Sequence, residues 1–107
     1  MSIQLIHDRD YASATAAGLV VVDFRMDFCP GCERMDHVLS RLAKTYADSV
    51  KFVALSVNQD FYVAEAIGVK SAPTLLIKQN GQIVAHFIGY HPQTEVEAAL
   101  TRLLQVA

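Results

Sequence analysis

Leu19-Val20-Val21-Val22-Asp23-Phe24-Arg25-Met26-Asp27-Phe28-Cys29-Pro30-Gly31-Cys32 is the stretch that decides how this chain folds. Its first six residues are valine-rich and almost continuously apolar, which predicts a central strand covered on both faces. Past Cys32 the period changes. Met35, Val38, Leu39, Leu42, Ala43 and Tyr46 recur at helical spacing, with Glu33, Arg34, Asp36, Arg41 and Lys44 on the other faces. A strand that runs into a helix through two cysteines places sulfur at a helix N-terminus. There the unpaired N–H groups and the helix dipole favour negative charge, biasing the first cysteine toward its thiolate.

Working outward, Ser2–Ile6 reads as a short edge strand and Asp8–Ala17 as a first helix ended by Gly18. Lys51–Val57 predicts a second buried strand, and Asp60–Ile67 a short helix stopped at Gly68. Thr74–Lys78 and Ile83–Ile88 flank Asn80-Gly81, a strong hairpin signal because both turn residues tolerate positive φ. In the last helix Thr94 and Glu97 occupy capping-box spacing, and Val96, Ala99, Leu100, Leu103 and Leu104 share a face. The order β-α-β-α-β-α-β-β-α predicts an α/β domain with a central mixed sheet of about five strands flanked by about four helices. Residues 1–107 suit a single domain.

Composition narrows the function. With 52% hydrophobic and 19% charged residues the chain can build a core. A formal net charge of −2 gives no electrostatic reason to expect nucleic acid or an anionic membrane surface. The longest apolar run, Gly18 to Val22, falls far short of the roughly 20 residues a membrane span needs. Met1 to Asp8 mixes polar and charged residues with few apolar ones and does not read as a signal peptide, so a cytoplasmic protein is expected.

Cys29 and Cys32 are the only cysteines, so any sulfur chemistry happens here. At this spacing a pair can close a small ring as a disulfide and reopen it by thiol exchange. A structural zinc ion takes roughly four ligands, of which one cysteine pair supplies half. His37 lies about 140° around a helix of about 3.6 residues per turn from Cys32, so it points away. No metal site is expected, and His7, His86 and His91 read as ordinary surface residues. Asp23, set among Val20, Val21, Val22 and Phe24, is either a solvated edge residue or a buried acid whose charged form is disfavoured.

Val21-Val22-Asp23-Phe24, Phe28-Cys29-Pro30-Gly31-Cys32, Ala72-Pro73-Thr74, the hairpin and Gly89 together resemble the thioredoxin family, in the family's order across nearly the whole chain. The resemblance implies the thioredoxin fold and a protein-disulfide reductase. Cys29 would be the nucleophile, Cys32 the resolving thiol, their disulfide the oxidised state, and Asp23 the buried acid that moves protons to and from Cys32. Pro73 would be a cis-proline facing the pair, exposing the backbone of Ala72 for an extended substrate segment. Phe28, Pro30, Gly31, Ile88 and Gly89 would complete an apolar platform around Cys29. The implied partners are disulfide-containing client proteins and a thioredoxin-reductase-like enzyme, an NADPH-dependent flavoprotein, with no bound cofactor, nucleic acid or membrane. A monomer is expected.

The chain also departs from the family pattern. Pro30-Gly31 inverts the common Gly-Pro order, removing a backbone N–H next to the Cys29 sulfur. Phe28 and Arg25 stand where tryptophans are usual, and Arg25 reads as a solvated side chain. Glu33 replaces a frequent basic residue and, with Asp27, adds negative charge near the site. A lysine often paired with the buried acid aligns with Ala54. Two other readings fit part of the pattern: a glutaredoxin-like enzyme recycled by glutathione, which also carries proline after the first cysteine, and a thioredoxin-fold scaffold with incidental thiols.

Overall fold

A computed structural model describes residues 3–105. Five strands, β1 (Ile3–Leu5), β2 (Leu19–Arg25), β3 (Lys51–Ser56), β4 (Thr74–Gln79) and β5 (Gln82–Ile88), form one sheet in the order β1-β3-β2-β4-β5. Four helices join them: α1 (Tyr11–Ala14), α2 (Pro30–Thr45), α3 (Tyr62–Ile67) and α4 (Gln93–Gln105). β1, β3 and β2 run parallel, while β4 is antiparallel to both β2 and β5. This is the α/β mixed sheet that the element order predicts.

β2 has a neighbour on each side, and six of its seven residues are buried. Because alternate strand side chains point to opposite faces, its run of valines serves two cores at once. Leu19 and Val21 join Met35, Val38, Leu39 and Leu42 of α2 and Val96 and Leu100 of α4. Val20, Val22 and Phe24 pack with Ile6, Leu55 and Ala64 on the other face. Asp23, in phase with Leu19 and Val21, therefore leaves β2 on the α2 side.

The hairpin forms as its sequence demands. Asn80 and Gly81 both take positive φ (51° and 86°), and Gly68 ends α3 in the left-handed conformation. β1 covers Ile3–Leu5 at a sheet edge, and Ser2 of the predicted strand lies outside the described residues.

Two boundaries and one face residue differ from expectation. The first helix, predicted over Asp8–Ala17, is a 3₁₀ turn (Asp8–Asp10) followed by only four α-helical residues. Thr15 ends it. Its hydroxyl donates to the Tyr11 carbonyl, and the same oxygen accepts from buried Lys78 Nζ, which ties this residue to β4. Thr94 and Glu97 form no capping box, because the helix already begins at Gln93. The Pro92 carbonyl takes the N–H groups of Glu95 and Val96, and Glu97 instead accepts from the Tyr46 hydroxyl at 2.8 Å. Leu104 is exposed, since α4 has rolled Val96, Ala99 and Leu100 inward.

Candidate active site

Cys29 is the N-cap of α2. Its extended backbone (φ −121°, ψ 105°) turns the chain from the β2 loop into the helix, and its Sγ accepts the Cys32 N–H at 3.2 Å. Caps of this kind are usually oxygen side chains that satisfy an orphan donor of the first turn. Here sulfur does so, in the position where N–H groups and the helix dipole stabilise a thiolate. Pro30 follows at the first helical position, where its missing N–H costs no helical hydrogen bond. Cys32 is fully buried, Cys29 only partly, and the two sulfurs form a disulfide.

The loop before β4 meets this helix end. The Ala72–Pro73 peptide bond is cis. Cys29 Sγ lies 3.7 Å from the Ala72 carbonyl oxygen, and the Gly89 N–H donates to the Pro73 carbonyl at 2.8 Å. Gly31 explains its own identity, because a Cβ there would stand 3.3 Å from Pro73 Cδ, closer than packed carbons normally approach. The structure thus gathers Cys29, Gly31, Cys32, Ala72, Pro73 and Gly89. Among the described residues Ala72 makes no backbone–backbone hydrogen bond, and its carbonyl oxygen faces Cys29 Sγ.

Phe28 stands beside this cluster with its ring in water, fully exposed and at φ 55°. A bulky residue in the left-handed region is strained, and an aromatic ring left wholly solvated gains nothing from burial. Pro30 and Ile88 are also exposed. Phe28 and Pro30 thus flank Cys29 with exposed apolar surface, and Ile88 does the same beside Gly89.

Asp23 is a buried acid, 2% exposed, and Oδ1 has no hydrogen-bond partner among the described residues. Its strand partner on β3 is Ala54 and on β4 Leu75, neither of which can carry charge. Burial first, then the negative charge of Asp36, pushes its pKa up to about 7, against a smaller downward pull from Arg25.

Arg25 is not a solvated side chain. Its guanidinium grips Asp36 in a fork, Nε to Oδ1 at 3.2 Å and Nη2 to Oδ2 at 2.9 Å, and Nη1 lies 3.9 Å from Asp27 Oδ1. Asp36 is the residue that sequence reasoning left on the outer face. A signal was available: it stands four positions after buried Cys32, hence on the same side of α2. Of the histidines, His7 pairs with Asp60 at 2.8 Å and His91 with Glu95 at 3.0 Å. No three His, Cys, Asp or Glu side chains among the described residues are arranged to hold a metal ion.

A sulfur pair that is opened and closed by exchange, with one member reachable and one sealed, defines a thiol–disulfide oxidoreductase. Comparison with known proteins agrees and is more particular. The family model described as Thioredoxin matches residues 2–102, and the chain belongs to the thioredoxin family. It is 31% identical to the thioredoxin of Listeria monocytogenes over 94% of this chain and 97% of that protein. It is 36% identical to the thioredoxin of Alicyclobacillus acidocaldarius over 80% and 82%, respectively. The crystal structure of Malassezia sympodialis thioredoxin superposes with a TM-score of 0.83 at 27% identity, covering 94% of this chain and 90% of that one. The chain is a thioredoxin-like disulfide oxidoreductase, and the glutaredoxin-like and scaffold readings are not favoured. Thioredoxins work without a bound cofactor, the electrons travelling in the sulfurs.

Proposed function

We propose that this protein reduces disulfides in client proteins, with Cys29 as nucleophile, Cys32 as resolving thiol and Asp23 as the proton acceptor. The observation that carries the assignment is the capping geometry: Cys29 Sγ meets the Cys32 N–H at the helix end and is partly exposed, whereas Cys32 is fully buried. In the reduced protein the Cys29 thiolate attacks one sulfur of a client disulfide. A Cys29–client bond forms, and the other client sulfur leaves as a thiolate that takes a proton. Cys32 then gives its proton to the Asp23 carboxylate and attacks Cys29 Sγ. The Cys29–Cys32 bond forms, the second client sulfur departs as a thiolate, and the client is left reduced by two electrons.

The client segment docks in extended form against the backbone of Ala72, with Phe28, Pro30, Gly31, Pro73 and Gly89 around it. A thioredoxin-reductase-like flavoprotein drawing on NADPH returns the electrons, in the cytoplasm, to residues 1–107 acting as a monomeric unit. Among the described residues no helix is long and apolar enough to cross a membrane.

Insulin reduction tests this directly. Turnover is expected with thioredoxin reductase and NADPH as electron source. Turnover with glutathione and its reductase alone would overturn the proposal. Cys29→Ser should be inactive, and Cys32→Ser should trap client proteins as mixed disulfides. The reverse pattern would exchange the two roles.

A further inference from the structure

Between β1, β3 and α2 the side chains leave a cavity of about 230 Å³, lined by Ile3, Leu5, Asp23, Arg25, Asp36 and Ala54. At about 30 Å³ per water it has room for several. It exists because Ala54, directly opposite Asp23 across β2 and β3, carries only a methyl group there. A carboxyl group that is 2% exposed, with one oxygen unpartnered among the described residues, thus borders a largely apolar space in which Arg25 and Asp36 are the other charged groups. Such a group is costly to bury unless something nearby controls its charge.

The groups able to do so are few. β1 contributes Ile3 and Leu5, β3 Ala54 and β4 Leu75, all uncharged. From α2 come Asp36 and uncharged Ser40, while Cys32 is held in the disulfide and carries no charge. From β2 itself comes Arg25, with Asp27 at the outer edge of its guanidinium. The charges that act on Asp23 are Arg25, which favours its ionisation, and Asp36, which opposes it. They are locked to each other at the cavity rim, with side chains 23% and 39% exposed. A forked arginine–carboxylate pair has fixed geometry, so both charges hold constant positions relative to Asp23.

We infer that the Arg25–Asp36 ion pair is a positioning device that sets when Asp23 releases its proton, and that the cavity is where water reaches this carboxyl. The inference rests on the proposed role of Asp23 and deepens it. The two members pull in opposite directions, so breaking the same ion pair from either side must have opposite results. Asp36→Asn leaves Arg25 free to favour the carboxylate. Arg25→Gln leaves Asp36 unopposed. A pair that merely braced β2 against α2 would give the same result whichever side was removed.

The test is an NMR titration of the Asp23 side-chain carboxyl carbon in the oxidised protein, followed by the pH profile of insulin reduction. Asp36→Asn should lower the Asp23 midpoint by about one pH unit and Arg25→Gln should raise it by a similar amount, as expected for charges that line the same cavity. The double variant should return close to the wild-type midpoint, and the acid limb of insulin reduction should follow each shift. Ala54→Lys, which puts a cation into the cavity opposite Asp23, should lower the midpoint even if one ion-pair variant folds poorly. Shifts of the same sign, or no shifts, overturn the inference. So does a carboxyl that moves while the activity profile stays still. A wild-type chain inert toward insulin at every pH is a separate outcome that sinks the proposed function itself, whatever the titration shows.

Discussion

Phe28 holds a whole aromatic side chain in water at a backbone angle few large residues adopt. The ring gains no burial from the folded chain, in keeping with the client-docking role proposed for it. Phe28→Gly removes both the ring and the strain. It should leave stability unchanged or raise it by up to about 1 kcal/mol, measured by denaturant unfolding, while raising KM for protein disulfides several-fold. A loss of stability larger than that would mean the ring supports the fold. At the same scale, the places of Cys29 and Cys32 could be read before any coordinates, because their order along a strand-to-helix junction fixes which sulfur caps the helix. The partner of Arg25 could not be read in the same way. Its reach to Asp36 depends on how α2 is set against β2, which local periodicity does not encode.

Among the elements, α2 does two jobs, presenting the sulfur pair at its first turn and filling the larger core with Met35, Val38, Leu39 and Leu42. Its apolar stripe was legible residue by residue, and so were the hairpin and the continuous valine run of β2. Where expectation failed, at α1 and at the start of α4, a distant side chain or a proline carbonyl took the place of the assumed cap. Boundaries yield to such contacts more readily than element types do. Gly31→Ala tests the junction of α2 with the loop before β4. A methyl group 3.3 Å from Pro73 Cδ must push that ring away, so insulin reduction should fall several-fold with little change in melting temperature. Gly81→Ala should do the opposite. It forces alanine to φ 86° with its Cβ 3.4 Å from the Ala16 carbonyl oxygen, and should cost about 1–2 kcal/mol in unfolding assays without altering kcat.

For the molecule as a whole, the buried acid couples folding to pH. In the unfolded chain Asp23 has the ordinary aspartate value of 3.8, and burial in the folded protein pushes it up to about 7. A pKa raised by folding means that the native state holds the proton more tightly. The stability this gives is complete below about pH 4 and is lost as pH rises through 7. Asp23→Asn abolishes the titration, so its stability relative to wild type should climb across that window by up to about 4 kcal/mol. Chemical denaturation of the oxidised proteins at pH 4, 6 and 8 would show it, and parallel curves would contradict it.

The complete enclosure of Cys32 has a practical corollary. After reduction, brief treatment with a bulky maleimide should add one label per molecule, found by peptide mapping on Cys29 alone. A dye or resin attached in this way would sit at a single atom, and every copy on a surface would hang in the same orientation.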